Sequence, residues 1–251
     1  MSNAVWAAGT LAVAILLAAE PATSAPIDRE LMFQRCTDQV KSGKFFKAAD
    51  RGEVHRFHLS TAVYSQEGRK NIGLILDEID RRHPDALPTE IAYVLGTAHR
   101  ETASTMRPIH EAMSCATEAC IHNNVPDYGQ PKANGKSYYG RGFAQLTGDN
   151  NYRKFGKILG LTPESSLYDN PDLALEPKTA SGILVIGMFD GAFTGKYKLA
   201  DFFGPDKAEW VLARKIVNPG SKRAPVTAGY GMLFYECITG ETLVTNGQMI
   251  E

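Results

Sequence analysis

The sequence lacks an excess of charge of either sign. Its 251 residues include 27 lysines and arginines against 28 aspartates and glutamates, which gives a formal net charge of −1. A nucleic-acid-binding domain usually carries a basic excess or a basic stripe, so this balance argues against nucleic acid as a partner. The chain also has no internal repeat and no low-complexity tract, and its apolar share is typical of a soluble globular protein.

Several motifs of well-known active sites are missing as well. There is no Gly-x-Ser-x-Gly nucleophile elbow. The tripeptide Gly135-Lys136-Ser137 resembles the end of a phosphate-binding loop, but the preceding glycine, Gly129, is one residue too far away. The histidines show no recognised metal-ligand spacing. The sequence therefore predicts neither a metal nor a cofactor.

A hydrophobic run of marginal length stands near the N-terminus. Ala4 to Ala19 is uncharged, and a small-residue segment follows it to Ala25, as in a secretory signal peptide. No lysine or arginine precedes the run, Pro26 follows the expected cleavage site, and sixteen residues are few for a membrane span. We expect residues 1–25 to be a signal peptide or a weak membrane anchor. The protein would then be exported to the periplasm or secreted, with transient tethering at the inner membrane before release. The alternative is a buried or frayed N-terminal helix.

The four cysteines permit complete pairing, as is common in exported proteins. Cys115 and Cys120 are close in sequence, whereas Cys36 and Cys237 lie near opposite ends. Among the three connectivities, we expect the one that pairs the close cysteines with each other and the distant ones with each other. The alternative is four free thiols in a cytosolic protein.

Helical periodicity dominates the chain, and strand signals are weak. Apolar residues at helical spacing predict a helix that ends before Pro84 and another that begins after Leu87 with Thr89 as its cap. Further helices are predicted near 152–159, 178–189 and 208–217, the last with Arg214 and Lys215 on a solvent-exposed face.

The segment 112–150 is rich in glycine, asparagine, proline and tyrosine, and it is predicted to be a long irregular stretch. Long ordered loops in compact domains are usually functional. We expect a mostly α-helical single domain with a substrate cleft and long loops. Its catalytic domain would span 60–240, with an N-terminal extension at 26–59 and a C-terminal tail at 241–251.

Two glutamates ten positions apart are the strongest candidates for catalysis. Glu101 continues the apolar stripe of its helix, and an inward-facing carboxyl has a raised pKa, as a general acid requires. Glu111 follows Pro108, which should break the helix at or before Arg107 and let the chain turn back across a cleft. Hydrolysis of a glycosidic bond needs such a pair: one carboxyl protonates the leaving oxygen and the other activates water. Taken singly, Glu101 fits a helix end that is exposed or paired with a nearby arginine, and Glu111 fits an exposed loop position.

The turn Tyr138-Tyr139-Gly140-Arg141-Gly142 follows these glutamates. Beyond it, Gln145 and Thr147 share one side of an extended segment, where an amide and a hydroxyl can hold a water or an N-acetyl group. The aromatic face of Tyr139 suits a sugar ring. Arg141, between two glycines, fits a structural tie to backbone carbonyls better than a substrate contact.

Together, these segments resemble glycoside hydrolase family 19, which includes plant-type chitinases and bacterial and phage enzymes that cut cell walls. The resemblance runs from about Asn71 to Tyr235, and it rests on residues 99–111, 138–152, 170–173 and 216–218. It implies a lysozyme-like α fold. It also implies hydrolysis of β-1,4 linkages beside N-acetylglucosamine with inversion, without a metal or cofactor.

The resemblance also implies roles for single residues. Glu101 matches the general acid and Glu111 the general base. Thr147 matches a residue that helps to hold the attacking water, and Gln145, Asn151 and Asn218 match substrate contacts.

The chain departs from the family pattern in places. Arg100 separates His99 from the acid, although the family usually has histidine directly before it, and a late arginine is missing around 227–230. Chitin-binding modules and plant-type loops are absent from the sequence, as in compact bacterial and phage members. We therefore expect a monomeric peptidoglycan hydrolase whose partner is a polysaccharide. The alternatives are a chitinase and an inactive wall-binding protein of the same fold.

Overall fold

The described part of the chain, residues 26–162 and 166–250 of a computed structural model, is mostly α-helical. Its seven α-helices are α1 (Arg29–Lys41), α2 (Gln66–Arg82), α3 (Pro88–Glu101), α4 (Glu118–Asn124), α5 (Asp149–Ile158), α6 (Pro177–Phe189) and α7 (Ala224–Thr239). The predicted fold class is confirmed. The predicted signal or anchor segment, residues 1–25, lies outside the described residues. Within those described, no helix has both the length and the apolar character that a membrane crossing requires.

The strands of the described part are short and form two-stranded antiparallel sheets. They are β1 (Phe46–Asp50) with β2 (Glu53–Phe57), β3 (Ile109–His110) with β4 (Arg141–Gly142), β5 (Phe203–Gly204) with β6 (Lys207–Ala208), and β7 (Val244–Thr245) with β8 (Gln248–Met249). Three of these pairs are local hairpins. The pair β3–β4 instead joins two distant segments, and it is the one that bears on the site.

Helices α3 and α7 pack against each other in the main core. They approach closely at Gly96, where an added Cβ would lie 2.4 Å from the backbone nitrogen of Gly231. Since real Cβ atoms do not approach so closely, this crossing depends on the missing side chain. The predicted cap at Thr89 is wrong, because Leu87 is the N-cap residue and its backbone N–H donates to the Glu90 carboxylate at 2.9 Å.

Four predicted helices, α2, α3, α5 and α6, are confirmed. The helix predicted at 208–217 is wrong: β6 ends at Ala208, and a 3-10 helix covers Leu212–Ile216. The buried apolar residues of this segment, Trp210, Ala213 and Ile216, recur every three positions, which is the period of a 3-10 helix. Helix α4 lies inside the stretch predicted to be irregular.

The segment predicted as an N-terminal extension packs into the main core. Helix α1 buries Met32, Phe33 and Cys36, and β1 buries Phe46 against α7 at Gly229, where a Cβ would lie 2.3 Å from the Phe46 ring. At the other end of the chain, Val244 of β7 joins the same core. Residues 27–59 therefore help to support the helices that carry the cleft.

Two disulfides close the chain at very different separations, and the expected pairing is confirmed. Cys36–Cys237 joins α1 to α7 across 201 positions. Cys115–Cys120 joins residues five positions apart. The second disulfide belongs to a small buried cluster with Ile121, Val125 and Tyr139, separate from the main core.

Candidate active site

Glu101 is the last residue of α3, so the helix ends before Arg107, as predicted. The Thr102 hydroxyl donates to the backbone carbonyl of Ala98 at 2.8 Å, and the next residues leave helical geometry with φ of 47° at Ala103 and 66° at Ser104. Pro108 is therefore not the residue that stops the helix. Left-handed backbone at non-glycine residues stores strain, and such strain is concentrated at functional sites.

An arginine that the sequence did not identify contacts Glu101. Arg214 Nη2 lies 2.7 Å from Glu101 Oε1, and the two side chains are only 9% and 17% exposed. The predicted solvent-exposed position of Arg214 is wrong: Arg214 is buried next to Ala213, whereas Lys215 remains exposed. Nε and Nη1 of Arg214 are buried without a hydrogen-bond partner among the described residues.

Glu111 is held by neutral donors. Immediately after β3, its backbone N–H donates to the Gly140 carbonyl at 2.7 Å. Its side-chain Oε2 accepts the Gly140 N–H at 3.1 Å, and Oε1 accepts the Tyr128 hydroxyl at 2.5 Å. The glycine of the Tyr-Tyr-Gly-Arg-Gly turn is required here, because a Cβ on Gly140 would lie 2.9 Å from Gln145 Oε1 and 3.4 Å from Glu111 Oε2.

Tyr128 is a site residue that the sequence analysis missed. It lies in the 3-10 helix Asp127–Gly129, and its side chain is 43% exposed. Burial and the hydrogen bond to Glu111 both raise the pKa of its hydroxyl, so it remains a donor at neutral pH. No periodic pattern marks this tyrosine, and a lone aromatic residue in a long loop gave no signal.

Three of the predicted polar residues form one chain of hydrogen bonds. Gln145, itself at φ 53°, donates its amide to the Ile109 carbonyl at 2.9 Å. The Thr147 hydroxyl donates to the Gln145 carbonyl at 2.8 Å, and the Asn151 amide donates to the Thr147 carbonyl at 2.8 Å. These contacts fix the side chains at the edge of the cleft.

The two glutamates line one cleft of about 890 Å³. Its lining includes six of the seven predicted site residues, namely Glu101, Glu111, Gln145, Thr147, Asn151 and Asn218. Phe193 and Tyr128 supply aromatic surface. The cleft therefore brings two carboxyls, amides, a hydroxyl and aromatic rings around one volume large enough for sugar rings.

Tyr139 is placed behind the cleft wall. It is 2% exposed and is not part of the cleft lining. Its hydroxyl donates to Glu118 at 2.8 Å, and its ring packs under the Arg141 guanidinium at 3.7 Å. The structure thus gives Tyr139 a supporting position instead of the predicted contact with substrate.

Arg141 ties the turn together, as predicted. Its guanidinium is 3% exposed and donates to the Ser137 carbonyl at 3.0 Å and to the Tyr152 hydroxyl at 3.2 Å. It also forms an ion pair with Asp172 at 2.8 Å. The interpretation of Arg141 as a structural tie is confirmed.

The fold is similar to that of chitinase C from Streptomyces griseus. That crystal structure aligns with a TM-score of 0.50 and 18% sequence identity, over 74% of this chain and 97% of the other. A mutant of chitinase C aligns with a TM-score of 0.49 and 17% identity. The chitinase-like fold that the sequence resemblance implied is confirmed.

Among curated proteins, Chitinase 3 from Oryza sativa subsp. japonica is 42% identical over 65 residues. The match covers 24% of this chain and 19% of the rice protein, so the chain spans about a fifth of that relative. No protein-family model matches the sequence.

Proposed function

We propose that the protein is a glycoside hydrolase that cleaves β-1,4 linkages in a polysaccharide containing N-acetylglucosamine. The observation that carries this proposal is the shared cleft, in which Glu101 and Glu111 face one volume from a helix end and from a loop. The similarity in fold to a chitinase and the local identity to a second chitinase support the same chemistry. Chitin is thus the substrate that the relatives favour.

In the proposed mechanism, Glu101 is the general acid. Its Oε1 faces Arg214, so Oε2 is the oxygen that delivers the proton to the leaving group. The short α3 terminus and the buried arginine fix the position of this carboxyl. A positioned general acid contributes about 10²–10⁴ to a rate.

Glu111 is the general base. Tyr128 and Gly140 each donate one hydrogen bond to it, and each carboxylate oxygen retains a lone pair that can accept a proton from water. The Thr147 hydroxyl donates its hydrogen bond to the backbone carbonyl of Gln145, so its oxygen is free to accept a hydrogen bond from that water. Attack by a water held between the two carboxyls inverts the anomeric centre, and proton NMR of fresh product should show the α-anomer first.

The decisive experiment compares release of reducing ends from colloidal chitin and from purified murein sacculi. Glu101→Gln should reduce turnover by at least about 10²-fold while polymer binding is retained. Glu53→Gln, the same change at a carboxylate that is 82% exposed on β2, is the matched control. Unchanged turnover in Glu101→Gln would remove this residue from the mechanism. Binding without hydrolysis by the wild type would favour the inactive wall-binding protein.

We further propose that the protein acts outside the cytoplasm as a monomer, with residues 1–25 serving export or transient membrane tethering. Mass spectrometry of the mature N-terminus separates the cleaved form from the anchored one. Intact Met1 on soluble cytoplasmic protein would contradict export.

A further inference from the structure

The cleft is locally positive in a protein whose net charge is −1. Its lining contains four arginines against two glutamates, an excess of two positive charges: Arg51, Arg100, Arg214 and Arg223 against Glu101 and Glu111. This excess is not a property of the whole surface, so it indicates a local preference for anionic ligands.

The arginines belong to the Glu101 side of the cleft. Arg100 precedes Glu101 on α3, and Arg214 forms the ion pair with Glu101. Arg223, the N-cap residue of α7, lies 2.7 Å from Asp50 at the end of β1. The residues around Glu111 on the opposite side are uncharged, apart from Glu111 itself and the titratable His110.

Two of the four arginines have no carboxylate partner. Arg100 and Arg51 form no ion pair with any residue in the described ranges. Arg51 is exposed at the turn between β1 and β2, directly after Asp50. A carboxylate entering the cleft would therefore meet guanidinium groups that are not neutralised by the protein.

Arg100 is the arginine of this group whose charge is least favourable. Burial lowers its pKa, and the nearby Arg223 and Arg214 lower it further, against the opposing effect of Glu101. A cation that is partly buried beside other cations is unfavourable, and an incoming anion relieves that cost. The site is thus organised to gain from binding a negative group.

We propose that Arg51 and Arg100 form a carboxylate-binding subsite beside Glu101, which selects an acidic glycan of the peptidoglycan type over neutral chitin. This inference rests on the proposed function, because it names the substrate class of the same cleft. Guanidinium groups match the planar carboxylate with paired hydrogen bonds. Chitin has no such group. Peptidoglycan strands carry carboxylates on their peptide stems, and on their lactyl ethers once the peptides are removed.

The test measures kcat/KM for Arg51→Gln and Arg100→Gln on three substrates: neutral chitin oligomers, intact murein strands, and murein strands stripped of peptides by an amidase. Each variant should lose about tenfold more activity on the acidic strands than on chitin oligomers, equivalent to 1.4 kcal/mol. Arg51 is exposed, so its variant should fold even if Arg100→Gln does not. The two murein arms separate stem carboxylates from lactyl carboxylates.

Arg56→Gln is the matched control, because Arg56 is exposed on the same hairpin but does not line the cleft. It should leave the ratio of the two activities unchanged. Equal losses on acidic and neutral glycans, or no preference in the wild type, would overturn the subsite while leaving the hydrolase intact. If no polymer is cleaved, the proposed hydrolase fails, and equilibrium binding of murein fragments and chitin oligomers to the same variants decides the subsite separately.

Discussion

The two walls of the cleft hold their carboxyls in opposite ways. Glu101 ends a helix of the main core and faces a buried arginine at 2.7 Å. Glu111 follows a two-residue strand and accepts hydrogen bonds from Tyr128 and from the Gly140 backbone. One wall uses charge and the packed core, whereas the other uses neutral donors on a loop.

This difference predicts how mutations in each wall should affect stability and activity. The position of Glu101 depends on α3, α7 and the segments that brace them, so damage there should appear as lost global stability. Glu111 depends on β3, β4 and the small cluster around Cys115 and Cys120. Damage on that wall should lower activity while the fold stays intact.

The largest expected contrast comes from the two disulfides. Cys36→Ala with Cys237→Ala opens a connection across 201 positions between α1 and α7. Removing this disulfide should lower the free energy of unfolding by about 3–5 kcal/mol, because a disulfide that closes a long loop restricts the unfolded chain more than one that closes a short loop. Cys115→Ala with Cys120→Ala opens a loop of five positions and should lower it by about 1–2 kcal/mol.

Chemical denaturation measures the free energy of unfolding of both double variants, and their rate of polysaccharide hydrolysis is assayed under native conditions. The variant Cys115→Ala with Cys120→Ala should lose a larger fraction of its hydrolytic activity than of its unfolding free energy. The reason is that Ala112, Met113 and Ser114 precede Cys115 in the cleft wall. Equal stability losses in the two variants would contradict the division between a core wall and a loop wall.

The same division explains what the sequence could predict. Helices with one polar face, such as α2, reveal themselves by periodicity. Helix α7 was not predicted because it is buried on most sides, so its sequence has no apolar stripe, and Thr227, Gly229 and Gly231 interrupt the continuous apolar run that revealed α6. Arg214 was missed because its partner Glu101 is distant in sequence and because its segment forms a 3-10 helix instead of the predicted α-helix.

The loop wall was predicted through composition instead of periodicity. The glycines of the Tyr-Tyr-Gly-Arg-Gly turn and the role of Arg141 could be inferred, since close backbone approach needs glycine and a buried guanidinium needs carbonyls. Tyr128 could not be inferred, because it and Glu111 lie 17 positions apart in an irregular segment. Tyr139 was predicted to line the cleft, but the next residue, Gly140, lines it instead.

The next largest effect is the pH dependence of the unfolding free energy, which should come from the Glu101 side of the cleft. His99, on α3 beside Arg100, is fully buried, and its Nε2 accepts the Ser60 N–H at 3.2 Å. Burial lowers its pKa to about 3, with smaller contributions from His58 and Arg100. The unfolded chain binds this proton near pH 6.5, so the stability is fully present above that pH and declines as pH falls toward 3.

Between pH 7 and pH 4.5 the wild type should therefore lose about 2–3 kcal/mol of unfolding free energy through His99. His99→Gln removes the titrating group and should reduce this pH dependence by that amount, whatever packing it loses at both pH values. His55→Gln, at an exposed histidine of β2, should behave like the wild type. An unaltered slope in His99→Gln would show that the acid sensitivity of the core wall has another source.

The smallest effect tests the loop wall alone. Tyr128→Phe removes the hydroxyl that donates to Glu111 Oε1 at 2.5 Å but keeps the ring. A hydrogen bond to a charged group contributes about 1.5–3 kcal/mol, and solvent can replace part of it because Tyr128 is 43% exposed. We expect kcat to fall about tenfold, equivalent to 1.4 kcal/mol, with an unchanged unfolding free energy. Tyr235→Phe is the matched control, because its hydroxyl donates to Glu241 at 2.8 Å outside the cleft. A loss of stability in Tyr128→Phe with full activity would reverse the contrast, since this contact would then stabilise the fold instead of orienting Glu111.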